Sequence, residues 1–329
     1  MTGTIDLHRH LGGCISPETV WKIIQSDSHL TNLAPSLDRL YELMTFKNDT
    51  EYNFHRFLAK FRVLDNIRWT EDSIDLTIEQ VVRDIKAEGI EYCELRFSIN
   101  KYLAYIDWDP YESTLFVLDR IDHWANHHKV NIGPVLSIKY ESPKQESRSM
   151  SKLINHWRIA ERIVGIDTVG NESMFDHRFL MEIYRFWKMC GKGLLIHVAE
   201  SQGASNARLA IEHLAPNRIM HGNRIFKEDP DLLKMARDKG IAFDVAITSN
   251  IKTGVVDLIE NHPAPNMIEA GCDITIGTDD PTTLDTTLGQ EYQVLAKLLN
   301  TTLDSDIIKN VIANSEKHAL VKRCRWRYQ

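Results

Sequence analysis

Two histidines near the N-terminus, His8 and His10, are separated by a single residue at the end of a short apolar run. Because side chains alternate between the two faces of a β-strand, both imidazoles point to the same face, ~6.6 Å apart along the strand. A pair of this kind can bind one metal ion together. About 0.6 such pairs are expected by chance from the histidine content of the chain. Further ligands are therefore needed to identify a metal site.

Residues with metal-binding or acid–base side chains follow three later apolar runs. His197 ends the first run and Glu200 follows it, His221 ends the second, and Asp279 with Asp280 ends the third. Each residue alone has an ordinary explanation: a hydrogen-bonded histidine, a glutamate near a helix start, or an aspartate that caps a helix. Together, the histidines of the first and fifth predicted strands and a carboxylate of the eighth form a suitable ligand set for Zn²⁺, with a position left for water. Glu200 and His221 remain beside this set as acid–base groups.

The elements that must position these residues are eight short apolar runs that are typical of buried strands. They are Thr4–His8, Ile90–Phe97, Gly133–Lys139, Ile163–Asp167, Leu194–His197, Arg218–His221, Ile241–Val245 and Ile274–Asp279. Stretches of helical periodicity lie between later runs, at Arg178–Met189, Ser205–Leu214, Pro230–Lys239 and Asn266–Ala270. Strand alternating with helix implies a parallel sheet, and eight units without a dinucleotide-binding glycine motif predict an α/β fold, the closed (β/α)₈ TIM barrel. The candidate residues then all lie at the carboxyl ends of strands, where barrel active sites are built.

About 80 residues separate the first two predicted strands, which is too many for a plain loop. Helical patterns occupy this stretch at Pro17–Ile24, Ser36–Leu43 and Tyr52–Val63. We expect a helical cap, inserted over the barrel mouth at roughly residues 14–85. Because no repeat, low-complexity stretch or linker interrupts the chain, residues 1–329 are predicted to form a single domain.

The amino-acid composition indicates which kind of molecule the protein binds. The net charge is −7, whereas an electrostatic nucleic-acid binder is expected to be basic, so a small molecule is the favoured partner. Five scattered cysteines without a CxxC pair indicate neither a disulfide framework nor a thiolate zinc site. The sequence shows no membrane-spanning apolar stretch and no secretion signal, so we expect a cytoplasmic protein that does not bind membranes. Nothing in the sequence indicates the oligomeric state.

Six short motifs, in this order and strand placement, resemble the adenosine deaminase family of metal-dependent hydrolases over nearly the whole chain. They are Asp6–Gly13 (DLHRHLGG), Gly165–Glu172 (GIDTVGNE), His197–Glu200 (HVAE), His221–Gly222 (HG), Thr248–Asn250 (TSN) and Thr278–Pro281 (TDDP). The segment Phe57–Phe61 (FLAKF) is similar to the cap helix that lines an apolar side of the family's pocket, which implies that Phe57 and Phe61 contact substrate. Ordinary core packing is the alternative for these two rings.

The resemblance implies a (β/α)₈ barrel, one Zn²⁺ ion per chain and hydrolytic deamination of an adenine-containing nucleoside or related purine, with release of ammonia. It implies that the zinc ligands are His8, His10, His197 and Asp279, and that the ion makes hydroxide from a bound water.

The resemblance also implies the remaining roles. His221 orients the water and helps accept its proton, and Glu200 protonates the ring nitrogen beside the amino-bearing carbon. Asp280 hydrogen-bonds another ring nitrogen or the nucleophile, and the backbone N–H of Gly170 binds the far side of the purine. This site differs from that of cytidine-type zinc deaminases, because their HxE and CxxC ligands are absent here.

One departure from the family pattern concerns the substrate. Classical adenosine deaminases carry an acidic residue after the HxHL stretch, where it contacts the sugar, and this chain has Gly12. Asn171, beside Gly170, stands where the family pattern suggests an aspartate. A 5′-substituted or otherwise modified adenine nucleoside or nucleotide is therefore expected to be tolerated.

Two other functions remain open at this point. A different metal-dependent amidohydrolase could cleave an amide or imide ring. Its binuclear forms usually need a carboxylated lysine at a strand end, commonly strand four, where this chain has Asp167, although Lys139 lies near the end of strand three. A non-catalytic barrel that binds a nucleoside or a partner protein is the third possibility.

Overall fold

A single parallel sheet organises the chain. The computed structural model describes residues 4–27, 29–30, 32–98, 109–322 and 325–327. Within them, eight strands pair in chain order, which confirms the eight predicted strands and the (β/α)₈ barrel. The strands are β1 (Ile5–His10), β2 (Tyr92–Phe97), β3 (Asn131–Lys139), β4 (Gly165–Val169), β5 (Gly193–Val198), β6 (Arg218–His221), β7 (Ala242–Val245) and β8 (Ile274–Ile276).

The barrel closes where the segment after β8 pairs with β1. Arg9 forms a parallel bridge with Asp279, and the N–H of His10 donates to the Asp279 carbonyl over 2.8 Å. β8 ends at Ile276, earlier than predicted, and Gly277 then lies so close to β1 that any side chain there would overlap His8. Closure therefore brings the first and last strands of the chain side by side at the carboxyl end of the barrel.

Helices surround the sheet, and their starts follow from local sequence. Ser16 accepts the N–H of Thr19 with Pro17 at the first helical position, and Asp109 does the same for Glu112. The α-helices of the described residues are α1 (Pro17–Ser26), α2 (Leu37–Met44), α3 (Phe54–Lys60), α4 (Arg62–Asp65), α5 (Glu71–Ala87), α6 (Pro110–His128), α7 (Lys144–Ser151), α8 (Trp157–Ala160), α9 (His177–Met189), α10 (Ala204–Leu209), α11 (Ile225–Glu228), α12 (Asp231–Asp238), α13 (Ile247–Lys252), α14 (Ala264–Glu269), α15 (Leu288–Leu298) and α16 (Asp306–His318). Short 3₁₀ turns lie at Gly12–Cys14, Lys152–Asn155, Glu172–Met174 and Ile259–Asn261, and a π-helical turn at Ala210–Leu214 continues α10.

The segment between β1 and β2 is helical, as expected, but it has two parts. Helices α1–α4 form the inserted cap, whereas α5 packs alongside α6 and belongs to the ring around the barrel. The helix predicted over Tyr52–Val63 is interrupted at Phe61, whose N–H donates to the carbonyl of Leu58, three residues back. The predicted insertion at residues 14–85 thus includes most of one barrel helix.

The barrel interior contains buried charges. Arg96 on β2 pairs with Asp167 on β4, and Arg218 on β6 pairs with Glu94 on β2 and Asp244 on β7. Because β2 and β6 are not neighbours in the sheet, the pair between Glu94 and Arg218 spans the interior. All five side chains are shielded from solvent, and each charge has a partner of opposite sign, as burial requires.

At the end of the barrel opposite the candidate site, the ring of Trp326 stacks on Tyr92 with centroids 5.1 Å apart. Cys14, Cys93, Cys190 and Cys272 are free thiols, and Cys324, with Arg323 of the basic tail, lies outside the described residues. In the described part of the chain, every helix is too short or too polar to cross a membrane.

Candidate active site

The four predicted metal ligands meet at the carboxyl ends of β1, β5 and β8. One donor atom from each of His8, His10, His197 and Asp279 lies within 4.8 Å of all the others. The Nε2 atom of His197 is 3.1 Å from Nε2 of His8 and 3.3 Å from Nε2 of His10. Two nitrogens bound to one zinc ion at ~2.0–2.1 Å are separated by about this distance. Oδ1 of Asp279 lies 3.6 Å and 3.4 Å from the same two nitrogens of β1.

The hydrogen bonds of His197 orient its imidazole toward the other ligands. Its Nδ1 lies 3.1 Å from Oδ1 of Asp167, so Nδ1 carries a hydrogen and Nε2 is the nitrogen directed at the other imidazoles. Burial disfavours the charged imidazole, but the Asp167 carboxylate outweighs it and raises the pKa of His197. Although burial opposes ionisation of Asp167, His197 and Arg96 hold its pKa below the usual range. The donor set and its surroundings fit one Zn²⁺ ion.

Burial also lowers the pKa of His8, His10 and His221 well below the usual value, with a further contribution from neighbouring positive groups. Their imidazoles are therefore neutral and keep a free lone pair, which is the form that binds metals. On Asp279, Ser249 Oγ donates to Oδ2 over 2.7 Å and leaves Oδ1 facing the histidines. Ser249 was part of a motif noted in the sequence, but its role emerges only from this contact.

Three residues of the site adopt left-handed backbone conformations that non-glycine residues rarely use. The φ angles are +54° at Ala199, +64° at His221 and +62° at Asp279. Each residue ends or follows a strand, and the turn re-aims the chain at the barrel mouth. Such strained conformations persist only where the surrounding structure holds them in place, and they are most frequent at functional sites.

Glu200 and His221 lie next to the ligand cluster, as predicted. Nε2 of His221 is 3.7 Å from Oε1 of Glu200 and 3.9 Å from Oδ2 of Asp279. Burial raises the pKa of Glu200 to about 8, so this carboxyl group holds its proton at neutral pH. A largely buried acid beside a cluster of metal-binding side chains is equipped to transfer a proton to a substrate.

Sequence reasoning missed the residue that holds the Glu200 loop in place. The buried carboxylate of Glu172 accepts the backbone N–H groups of Ala199 (2.6 Å), Glu200 (3.2 Å), Ser201 (3.1 Å) and Gln202 (3.0 Å). Glu172 lies two residues after Gly170, so the segment expected to bind the purine also fixes the loop that carries the acid. The motif that contains Glu172 was the available signal, but it did not reveal these bonds.

We therefore expect Glu172→Gln to lower kcat ~10–100-fold with little change in zinc content, since one oxygen that accepts N–H groups becomes a donor facing them. Glu228→Gln is the matched control, because the Glu228 carboxylate accepts the N–H of Ala204, the first residue after this loop, but does not hold Glu200. Steady-state kinetics and zinc analysis of both variants provide the measurement. Equal activity of the two variants would contradict this role.

Three glycines shape the rest of the mouth. Gly170 has a φ of +95°, and a side chain there would overlap the Glu141 carboxylate. A side chain on Gly13 would overlap the buried carboxylate of Asp280, so Gly13, a motif residue with no role assigned from the sequence, is what lets Asp280 approach. At Gly12, in contrast, an added Cβ meets only the Phe61 ring, at 4.0 Å.

The predicted cap aromatics lie at the same place. Phe61 packs edge-on against Phe57, with ring centroids 5.3 Å apart and the planes 80° apart. Through Phe61, the aromatic pair borders the open space at Gly12. The structure thus groups Gly12, Phe57 and Phe61, as a shared substrate-contacting surface requires.

Two basic residues near the site lie outside the ligand cluster. Arg9, between the two histidines of β1, faces away from the cluster and binds Asp6, Thr278 and Glu88. Lys139 is exposed at the end of β3 and is not part of the ligand cluster. Within the described ranges, His8, His10, His197 and Asp279 are the only group of three or more His, Cys, Asp or Glu side chains placed to hold a metal ion.

The fold and the site define a (β/α)₈-barrel enzyme whose site lies at the carboxyl ends of the strands. A model of the adenosine deaminase family matches residues 4–325, and the chain belongs to this family.

Similar proteins include several purine deaminases. Among curated proteins, the aminodeoxyfutalosine deaminase of Acidothermus cellulolyticus is 27% identical over 89% of this chain and 82% of its own length. The adenosine deaminase of Shewanella denitrificans is 28% identical over 88% and 86%, respectively. Among solved structures, the adenine deaminase of Arthrobacter aurescens aligns with a TM-score of 0.84 and 17% identity, over 99% of this chain and 96% of that one. The N6-mAMP deaminase of Arabidopsis aligns with a TM-score of 0.83 and 18% identity, over 98% and 94%.

Proposed function

We propose that this protein is a zinc-dependent hydrolytic deaminase that replaces the 6-amino group of an adenine-containing compound with oxygen and releases ammonia. The observation that carries the proposal is a largely buried, proton-holding Glu200 beside four converging metal-binding side chains. This combination pairs a proton donor for the purine ring with a site that activates water.

The chemistry follows from the residues in place. His8, His10, His197 and Asp279 would hold the zinc ion, which would supply the Lewis acidity that activates a water molecule at neutral pH. Glu200 donates its proton to the ring nitrogen beside the amino-bearing carbon, which makes that carbon electrophilic. Water adds to the carbon, and the bond to the amino nitrogen breaks. One proton of the water leaves with ammonia, the other restores the acid form of Glu200, and the carbonyl-bearing product keeps the proton that Glu200 gave to the ring.

The remaining residues orient the reactants. His221, close to Glu200 and Asp279, contacts the attacking water. Asp280, held against Gly13, binds a second ring nitrogen or the nucleophile. The N–H of Gly170 binds the far side of the purine, in a segment that Glu172 ties to the Glu200 loop. Holding the purine and the water in the correct orientation accounts for a large part of the rate acceleration in a reaction between two bound molecules.

We further propose that the substrate is an adenine nucleoside with a bulky or apolar 5′ substituent. Gly12 places no side chain at the mouth, and the Phe57–Phe61 pair offers an apolar surface next to the free space. Arg9 is bound to Glu88 and therefore supplies no contact for a 5′-phosphate. The names of two similar proteins, an aminodeoxyfutalosine deaminase and an N6-mAMP deaminase, are consistent with substrates other than adenosine.

Gly12→Asp is expected to reverse this preference. The new side chain fits, because an added Cβ meets only the Phe61 ring, but its carboxylate repels a phosphate and occupies space needed by a 5′ substituent. We expect kcat/KM for a 5′-thioether adenosine and for AMP to fall at least ~10-fold relative to adenosine and 2′-deoxyadenosine. Gly12→Asn separates the effect of bulk from that of charge. If the wild type strongly prefers adenosine and Gly12→Asp keeps that ranking, Gly12 does not contact the sugar.

Metal stoichiometry together with ammonia release tests the proposed function. One zinc ion per chain and ammonia from an adenine-containing compound support deamination. Two metal ions without ammonia indicate another metal-dependent amidohydrolase, and neither metal nor ammonia indicates a non-catalytic barrel. Loss of the adenine absorbance across a panel of adenine compounds then identifies the substrate.

A further inference from the structure

A row of three buried side chains leads from the active site into the protein behind β6. Nδ1 of His221 lies 2.9 Å from Nδ2 of Asn250, and Oδ1 of Asn250 lies 3.0 Å from Nε2 of His262. Nδ1 of His262 in turn lies 3.2 Å from the backbone nitrogen of Ala264. All three side chains are at most 1% exposed, so water does not compete for these bonds.

The donor–acceptor direction of these hydrogen bonds is fixed at the end of the row farthest from the active site, at Ala264. Ala264 is the first residue of α14, and its N–H has no acceptor within the helix. A backbone N–H can only donate, so Nδ1 of His262 accepts this bond and carries no hydrogen. Burial lowers the pKa of His262 to about 3, which keeps the ring neutral with its single hydrogen on Nε2.

In the next two hydrogen bonds, His262–Asn250 and Asn250–His221, the donor and the acceptor are then fixed. The Nε2–H of His262 donates to Oδ1 of Asn250, which turns the Asn250 amide so that Nδ2 faces His221. Nδ2 donates to Nδ1 of His221, which therefore accepts and carries no hydrogen. Rotating the amide by half a turn would place the Nδ2 hydrogens against the Nε2–H of His262.

From this geometry we infer that His262 is a positioning residue that acts through Asn250 to keep the hydrogen of His221 on Nε2. That nitrogen faces Glu200 and Asp279. If the proposed function holds, His221 meets the attacking water as a hydrogen-bond donor to its oxygen. An Nε2 that already carries a hydrogen does not accept the water's proton, in contrast to the role that the family resemblance implies. The Glu200 carboxylate, once it has protonated the ring, is the group left to receive that proton.

Nitrogen NMR of zinc-loaded protein with ¹⁵N-labelled histidine tests the inference directly, because the shifts of the two ring nitrogens show which one carries hydrogen. The His221 signals are assigned from their loss in His221→Gln. We expect wild-type His221 to carry its hydrogen on Nε2. In His262→Leu, Asn250 loses the donor to Oδ1 and is free to turn, so the hydrogen of His221 moves partly or fully to Nδ1. In His262→Gln, the amide N–H of the new side chain still reaches Oδ1, so Nε2 of His221 keeps the hydrogen.

Kinetics add a second measurement. We expect His262→Leu to lower kcat at least ~10-fold, within the range seen when a hydrogen-bond partner behind an active-site histidine is lost. KM and zinc content stay close to wild type, and His262→Gln recovers most of kcat. A wild-type His221 with hydrogen on Nδ1, or an unchanged tautomer in folded His262→Leu, overturns the inference.

The NMR result does not depend on catalysis. If the wild type has hydrogen on Nε2 of His221 but deaminates no purine, the proposed function fails and the tautomer assignment stands. If His262→Leu does not fold, the spectra of the wild type and of His262→Gln decide: hydrogen on Nε2 in both supports the inference, and hydrogen on Nδ1 in either overturns it.

Discussion

Asp279→Asn is expected to lose zinc and activity together while the barrel stays folded. The amide preserves the size of the side chain but removes the negative charge that balances three imidazoles and a metal ion. Asparagine also tolerates the left-handed backbone at this position (φ +62°), whereas alanine would add strain to the loss of the ligand. We expect kcat to fall by more than the ~10–100-fold typical of residues that only support a ligand.

Asp273→Asn is the matched control for this variant. Asp273 immediately precedes β8, at the opposite end of the barrel, and also accepts hydrogen bonds from basic groups, Lys317 and His318. Zinc analysis after gel filtration, ammonia release and circular dichroism are measured on both variants. Full zinc content and activity in Asp279→Asn would remove Asp279 from the ligand set.

Glu200→Gln is expected to retain zinc and bind substrate but to lower kcat by ~10²–10⁴, the contribution of general acid–base catalysis. Glutamine has the shape and hydrogen-bonding atoms of the protonated acid, but it has no proton to transfer. Because burial raises the pKa of Glu200 to about 8, the wild-type group enters the reaction as the acid, and the variant imitates its neutral form. The loss therefore falls on kcat and only weakly on KM.

Zinc content decides how this variant is interpreted. Loss of zinc in Glu200→Gln would make Glu200 a ligand and would overturn the proposed proton transfer. Glu228→Gln is again the control, since Glu228 contacts Ala204, directly after the same loop, without facing the cluster. Kinetics near wild type in that variant exclude a general sensitivity of the loop to lost carboxylates.

The barrel could be predicted from sequence because its strands are short apolar runs spaced by amphipathic helices, and this pattern is local. The residues at which the strands end could not be predicted in this way. β1 extends through His10 because the segment after β8 pairs with it, and β8 stops where Gly277 meets His8. Both boundaries depend on a contact between the first and last strands, which no window of sequence contains.

The metal ligands could also be predicted, since their residue types are chemically distinctive and each falls at a strand end. The residues that support the ligands could not be predicted, because Asp167 and His262 reach the site only through contacts that the folded barrel creates. Asp167 ends a predicted strand within one of the family motifs, but the sequence does not show that it bonds His197, and His262 lies outside every motif. The left-handed turns at His221 and Asp279 were equally hidden, since they occur in residues that do not usually adopt them.

Closure of the barrel between β1 and the segment after β8 has a consequence for biosynthesis. A chain leaving the ribosome exposes His8 and His10 long before Asp279, and Arg9 and Thr278, which bond across the closure, are 269 positions apart. At ~5–20 residues per second, the interval is on the order of tens of seconds. During this time the nascent chain presents two imidazoles without their carboxylate partner. Under the proposed function, capture of the metal by the full ligand set is thus one of the last events in the maturation of the protein, and it indicates that the final strand has docked.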